Sequence, residues 1–245
     1  WYFHYLLNLK TLSEPGWALQ ARSEGDWVHR TLAIFFDPAV FSPNWDPPAQ
    51  AERLEHCLDK AKNDLAGKMA SPPAVWDARR GVLLTALKQV VASEMEAMSG
   101  ALPWKVEEEI GAEFAIEVDE GPPLSLRGRL DRLDHGAQHA VISDYKHTGN
   151  QAGLREATDK EQAGISQFQL PVYMAAALNM MDKEIHTLTG RLVPTLLASS
   201  KVRKLSYAAD DIFFSKDPII RQQMAGEDKP NLFNAIADLW QRLAS

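Results

Sequence analysis

The stretch Gly128-Arg-Leu-Asp-Arg-Leu-Asp-His-Gly-Ala-Gln-His-Ala-Val-Ile-Ser-Asp-Tyr-Lys146 has the pattern of two strands joined by a tight turn. Apolar and polar residues alternate on both sides of Asp134-His135-Gly136, a typical turn sequence. The pattern predicts a strand over 123–134 and a second strand over 139–146. This hairpin is the centre of the predicted fold.

Helices are predicted before the hairpin, and helices and strands are mixed after it. Apolar residues at three- and four-residue spacing predict helices over 2–9, 27–36, 50–66 and 74–98. Asp26 is expected to cap the second of these helices, and Pro38 to stop it. Further elements are strands over 112–118, 185–193 and 197–207, and helices over 165–181 and 232–243. The predicted fold class is α+β or mixed α/β.

Composition sets limits on function. The 245 residues include 45% hydrophobic and 24% charged residues, which is typical of a soluble globular protein, and no apolar run is long enough for a membrane helix. The net charge of −7 argues against a general nucleic-acid coat protein, but a cation site needs carboxylates. Cys57 is the only cysteine, which excludes an internal disulfide and fits a reducing cytoplasm. No GxxxxGK[ST] stretch is present, so a nucleotide-driven motor is not expected in this chain.

Acidic and basic residues in the hairpin suggest a metal-dependent chemistry. Asp144 and Lys146 share one face of a strand, and the hairpin turn brings Asp131 back toward them. Two carboxylates at one point suit a hard cation such as Mg²⁺ or Mn²⁺. A neighbouring lysine can activate a water molecule or neutralise charge in a phosphoryl transition state. Gln169 and Tyr173 lie four residues apart, on one face of the following helix.

Each of these patterns alone has a simpler explanation. An Asp-x-Lys pair on a strand is usually a solvated face, and Gln169 with Tyr173 would be ordinary helix surface. The acidic run Glu107-Glu108-Glu109 favours a solvated edge over a metal cluster, with Glu113 as a possible exception. The functional interpretation depends on the ordered set of motifs.

That ordered set resembles the motifs of the PD-(D/E)xK nuclease superfamily. The similarity is greatest to the RecB and AddB type of nuclease domain, which is attached to bacterial recombination helicases. It rests on 128–134, Asp144-Tyr-Lys146 and Gln169-Leu-Pro-Val-Tyr173, and on Gly25-Asp-Trp-Val-His29, which matches an upstream histidine motif. The aromatic start at 2–7 is also similar, so the resemblance covers most of residues 1–175.

The resemblance implies a restriction-endonuclease-like core, with a mixed central sheet flanked by helices. It implies a helical N-terminal part at 1–105 that carries His29, a nuclease core at 106–200 and a C-terminal extension at 201–245 packed on the core. Lys146 would be the catalytic lysine, acting with Asp131 and Asp144. The implied ligands of Mg²⁺ or Mn²⁺ are His29, Asp131, Asp144 and the backbone carbonyl of Tyr145. Gln169 and Tyr173 would position DNA or support the site.

Two departures from the family pattern matter. Some relatives bind an iron–sulfur cluster through four cysteines, and since this chain has only Cys57, no cluster is expected. The usual Lys-Thr-Gly is replaced by Lys146-His147-Thr148-Gly149, with one inserted residue. Basic residues expected to contact the DNA backbone are Arg127, Arg129, Arg132, Lys146, His147 and Arg155, with a second patch at Lys201, Arg203 and Lys204.

The implied function is a metal-dependent deoxyribonuclease, an exonuclease rather than an endonuclease. It would be a module of a bacterial cytoplasmic helicase–nuclease for recombinational DNA repair. Expected partners are DNA, preferably single strands or frayed ends, and a helicase domain or subunit, with no membrane. Two alternatives remain: a catalytically inert DNA-binding module of a recombination complex, and a hydrolase of small phosphate esters.

Overall fold

A computed structural model describes residues 21–68, 72–98, 100–110, 115–116, 124–125, 127–148, 150–158, 169–181, 185–196 and 202–208. Three helices come first: α1 (Ala21–Phe35), α2 (Pro47–Leu65) and α3 (Pro73–Ala97). Five elements follow: β1 (Leu102–Ile110), β2 (Ala115–Ile116), β3 (Leu124–Ser125), β4 (Gly128–His135) and β5 (His139–Lys146). The remaining elements are α4 (Gln151–Glu156), α5 (Gln169–Met180), β6 (Thr187–Pro194) and β7 (Arg203–Ala208).

The start of α2 is stabilised by local capping, whereas the start of α1 differs from the prediction. The Asp46 side chain accepts a hydrogen bond from the Ala49 N–H at 2.8 Å, and prolines occupy the first turn of α2. The predicted cap at Asp26 is wrong, because α1 already includes Ala21 and Asp26 lies inside it. Gly25 is tolerated within this helix, so the chain has no break at which Asp26 would act as a cap.

Within the described part of the chain, five strands form a central mixed sheet in the order β1-β4-β5-β6-β7. β5 and β6 are parallel, and the other neighbouring pairs are antiparallel. β5 and β6 are joined through a connection that contains α4 and α5, as a parallel pair requires. The predicted mixed sheet flanked by helices is confirmed.

The first strand of the sheet differs from the prediction. β1 at 102–110 pairs with β4. Of the predicted strand at 112–118, the structure describes 115–116, which form β2 and pair with β3 in a separate two-stranded sheet. The acidic run that was interpreted as a solvated edge is part of β1, at one edge of the main sheet. The expected boundary between the helical N-terminal part and the nuclease core, at residues 105 and 106, lies within β1.

Two hydrophobic cores cover the two faces of the sheet. One core packs α1, α2 and α3 against the sheet, and it contains Trp27, Leu58, Leu87 and Val193. The other packs α5 on the sheet through Leu170, Met174 and three consecutive alanines, 175–177. A Cβ atom at Gly190 would lie 3.2 Å from both Leu170 and Met174, so glycine allows α5 to approach β6 closely. The result is a layer of sheet between two layers of helix.

The other predicted elements have mixed outcomes. β5 has the predicted bounds, 139–146, and β6 lies within two residues of its predicted ones. α4 lies between the predicted elements at 139–146 and 165–181, where no helix was predicted. Of the strand predicted over 197–207, the structure describes 202–207, and β7 covers 203–207 of it. The helices predicted over 2–9 and 232–243 lie outside the described residues. Among the helices of the described part, none is long and apolar enough to cross a membrane.

Candidate active site

Asp131 lies where β4 and β5 separate. The paired ladder of these strands ends at Arg132 opposite Ser143, one residue before Asp131 and Asp144. Beyond this point, Asp131 Oδ2 accepts a hydrogen bond from the Tyr145 N–H at 2.8 Å. The carboxylate thus replaces a backbone acceptor, and this holds Asp131 beside the strand that carries Asp144.

A backbone irregularity in β1 lies opposite Asp131. Val106 pairs with Arg132 and Glu108 with Leu130, which places Glu107 across from Asp131, and Glu107 has a φ of +48°. Left-handed backbone costs a residue with a side chain about 1–2 kcal/mol. Leu130 belongs to the α5 core, whereas Arg132 contacts Phe36 on the opposite face, although residues two apart in a regular strand share a face. Asp131 therefore lies at the point in β4 where the regular alternation of side chains between the two faces of the sheet is interrupted.

Asp144, Lys146 and Gln169 form a compact polar triangle. The Lys146 ammonium lies 2.7 Å from Asp144 Oδ2 and also donates to Gln169 Oε1 at 2.7 Å. Gln169 Nε2 donates to Asp144 Oδ1 at 3.0 Å, so the amide joins the two charged groups. β5 carries the acidic Asp144 and the basic Lys146 on one face, and Gln169, the first residue of α5, fixes the distance between their side chains.

Burial raises the pKa of the Asp144 carboxyl to about 6, because the side chain is only 4% exposed. The positive charge of Lys146 lowers this pKa, and the negative charge of Asp131 raises it. Among the described residues, Asp144 Oδ2 is buried, and its close neighbour is the Lys146 ammonium at 2.7 Å. A desolvated carboxylate oxygen of this kind favours a cation as its partner.

His29 reaches the same point from α1. Its Nδ1 lies 3.1 Å from Asp131 Oδ1, and its ring meets the Tyr145 ring edge-on with centroids 6.3 Å apart. Burial lowers the pKa of His29, but the hydrogen bond and charge of Asp131 outweigh burial and leave the pKa raised. Both oxygens of Asp131 are thus in use, one by His29 and one by Tyr145.

Tyr173 and Gly128 close the other side of the triangle. Gln169 Nε2 donates to the Tyr173 hydroxyl at 3.3 Å, one helical turn further along α5. A Cβ atom at Gly128 would lie 3.2 Å from the Tyr173 ring and 3.4 Å from Ile110. The glycine that opens β4 therefore lets the tyrosine pack against the strand that carries Asp131.

Two of the basic residues expected to contact DNA are buried. Arg132 is fully buried, and the His147 side chain is 5% exposed, so both expectations are wrong. Arg132 is neutralised by carboxylates inside the protein, and His147 contacts Glu24 and Thr195. Arg127, Arg129 and Arg155 are exposed, and Lys146 and Arg203 are half-buried. Glu113 and Lys201 lie outside the described residues.

A buried ionic cluster lies behind the site and was not predicted from the sequence. It consists of Glu94, Arg132, Asp134 and Arg191, which are all at most 5% exposed. The spacing of Leu83, Leu87 and Val90 with Glu94 places the glutamate on the buried face of α3, and this is the signal that was available in the sequence.

The sequence profile of the PD-(D/E)XK nuclease superfamily matches residues 1–245, the whole chain. The chain belongs to the PD-(D/E)XK nuclease superfamily. No curated protein matches it. Nucleases of this superfamily typically use divalent cations such as Mg²⁺. The match covers the superfamily as a whole and does not distinguish the RecB and AddB type.

The fit of a divalent cation follows from the donor set. Within the described part of the chain, no three His, Cys, Asp or Glu side chains are close enough to hold a metal ion as they stand. The carboxylates of Asp131 and Asp144 are hard oxygen donors, and no residue of the described ranges donates a well-aligned hydrogen bond to the buried Asp144 Oδ2. These two residues fit a Mg²⁺-type cation, and the Lys146 ammonium holds a positive charge beside the same oxygen.

Proposed function

We propose that this superfamily member is an active metal-dependent DNA nuclease that hydrolyses phosphodiester bonds. The observation that carries the proposal is the contact of Lys146 with Asp144, joined by Gln169 beside Asp131. A buried carboxylate with a raised pKa, next to a lysine at the end of a strand, lowers the stability of the fold. Packing alone therefore does not explain this arrangement. Such costs are typical of functional sites.

Each residue has a proposed role. Asp131 and Asp144 would hold the cation, with His29 and the Tyr145 backbone carbonyl as further ligands. The bound cation would polarise the phosphate and stabilise negative charge. Lys146 is 29% exposed, so its ammonium can approach a phosphate from the solvent side and offset charge in the transition state. Gln169 holds Lys146 in place, and Tyr173 supports Gln169.

The finer assignment is an exonuclease that acts with a helicase in recombinational DNA repair. It is supported by the similarity of the four motifs to the RecB and AddB type. The absence of a GxxxxGK[ST] stretch from this sequence agrees with unwinding by a partner domain or subunit. Single strands and frayed ends are then the preferred substrates, in a bacterial cytoplasm.

The test is digestion of DNA labelled at one end, as single strand and as duplex, in Mn²⁺, Mg²⁺ or EDTA. We expect cleavage that depends on the metal and is lost in Asp131→Asn. Progressive shortening of the linear strand from an end indicates an exonuclease, and cleavage of a circular single strand in a parallel reaction indicates an endonuclease. DNA binding without cleavage in either metal would refute the nuclease and favour an inert DNA-binding module.

A further inference from the structure

Behind the strand that carries Asp144 and Lys146 lies the buried ionic cluster of Glu94, Arg132, Asp134 and Arg191. Arg132 donates through Nε and Nη2 to the two oxygens of Asp134, at 2.8 and 2.9 Å. Its Nη2 also donates to Glu94 Oε2 at 2.6 Å, and Arg191 donates to both Glu94 oxygens. Two arginines and two carboxylates thus balance one another away from solvent.

Arg132 also contacts the strand of the proposed site. Its Nη1 donates to the Tyr145 hydroxyl at 2.5 Å, and its guanidinium stacks on Phe36 at 4.2 Å from the ring centroid. The tyrosine side chain is therefore held by a group whose own position is fixed by two carboxylates and an aromatic ring.

Tyr145 connects this cluster to the proposed site through the backbone. Its side chain points to the ionic cluster, while its neighbours Asp144 and Lys146 contact Gln169 on α5, on the other face of the sheet. Its own N–H donates to Asp131. A rotation of Tyr145 would thus shift both neighbouring side chains and the hydrogen bond to Asp131 together.

We propose that Arg132 is a positioning residue, which fixes the backbone between Asp144 and Lys146 through the Tyr145 hydroxyl. The inference rests on the proposed nuclease function. Burying two ion pairs contributes little net stability compared with apolar packing, whereas it holds one geometry. Supporting residues of this kind typically change metal affinity or activity by about 10–100-fold when they are altered.

Tyr145→Phe is the sharpest test, because it removes the hydroxyl and keeps the ring in its core. We expect a cooperative melt, Mn²⁺ binding about tenfold weaker by calorimetry, and a kcat about tenfold lower with KM for single-stranded DNA within about twofold. Arg132→Lys keeps the charge and loses the planar fork, and we expect the same direction of change. Tyr145→Phe with wild-type Mn²⁺ affinity and kcat would overturn the proposal.

Arg80→Lys is the matched control. Arg80 binds Asp59 through the same two-bond fork, at 2.7 and 2.8 Å, but between α3 and α2. We expect Mn²⁺ affinity and kcat to stay at the wild-type values in this variant. A loss equal to that of Arg132→Lys would show a general effect of weakened ion pairs and would overturn the positioning role.

Hydrogen exchange separates this inference from the nuclease proposal. If wild-type protein neither binds Mn²⁺ nor cleaves DNA, the nuclease proposal fails. If Arg132 positions Tyr145 through its hydroxyl, the Tyr145 amide is still expected to exchange about tenfold faster in Tyr145→Phe, because the hydrogen bond from this amide to Asp131 is loosened. An unchanged exchange rate at this amide would overturn the positioning role, whatever the activity.

Discussion

Replacing Asp144 by asparagine removes a buried charge while preserving the shape of the side chain. The pKa of the carboxyl is about 6 in the folded protein, against an ordinary value of 3.8. At about 1.4 kcal/mol for each pH unit, this difference corresponds to a cost of about 3 kcal/mol for the ionised group in the folded, metal-free protein. The asparagine amide adds a buried N–H donor that needs an acceptor, which offsets part of the gain.

We therefore expect Asp144→Asn to be more stable than the wild type by about 1–3 kcal/mol in EDTA at pH 7.5. For a chain of this size, that is a rise in melting temperature of roughly 3–10 °C. Because folding raises the pKa of Asp144, the ionised carboxylate destabilises the folded wild type fully above about pH 6. This destabilisation decreases as the pH falls from 6 toward 3.8, because the carboxyl group becomes protonated in the folded protein. The advantage of the variant should accordingly shrink to about 1 kcal/mol or less at pH 4.5.

The assay is denaturation of both proteins in EDTA at the two pH values. Asp59→Asn is the control, because the hydrogen bond with Arg80 lowers the pKa of Asp59, and its loss should leave stability equal or lower. An Asp144→Asn variant less stable than the wild type at pH 7.5 would refute the electrostatic reasoning. An advantage that is the same at both pH values would refute it as well.

Three further outcomes are expected. Cys57 is fully buried and burial raises its pKa, so a thiol reagent should label it only after denaturation; rapid labelling of native protein would contradict its position in the core. Purified protein should be colourless because one cysteine cannot bind a four-cysteine cluster, and a brown protein would contradict this. Single strands should be cut faster than a blunt duplex, whereas equal rates would argue against the need for an unwinding partner.

Local patterns in the sequence were sufficient to predict the helices and strands that have one buried face. α2 and α3 were predicted within three residues at each end, and β5 with its bounds, because apolar periodicity marks the buried face. The order of these elements predicted an α+β or mixed α/β fold, and the mixed central sheet was implied by the resemblance to the nuclease superfamily. The hairpin also predicted the approach of Asp131 to the strand of Asp144, which the structure describes through the Tyr145 amide.

β1 could not be predicted from local pattern. Its sequence includes three consecutive glutamates, and its pairing with β4 requires a left-handed residue at Glu107. Arg30 contacts Glu107 from α1, 77 residues away along the chain, so part of what holds this strand is nonlocal. Strand formation here depends on such distant contacts more than on propensity.

The buried charges were missed for the same reason. Arg132 has the sequence context of a surface arginine, and its neutralisation depends on Glu94, 38 residues earlier in the chain. The contact of His147 with Glu24 spans 123 residues. Charge pattern alone does not distinguish a basic rim from an internal ion pair, because burial of a charge is decided by partners that are distant in sequence.

Single-turnover cleavage by Lys146→Ala tests the central claim most directly, namely that the polar triangle of Asp144, Lys146 and Gln169 performs phosphodiester hydrolysis. With saturating enzyme, end-labelled single-stranded DNA and Mn²⁺, we expect the rate to fall by about 10²–10³-fold while DNA affinity stays within a few-fold. Affinity is retained because it arises from many phosphate contacts. Cleavage at the wild-type rate by Lys146→Ala would contradict the account.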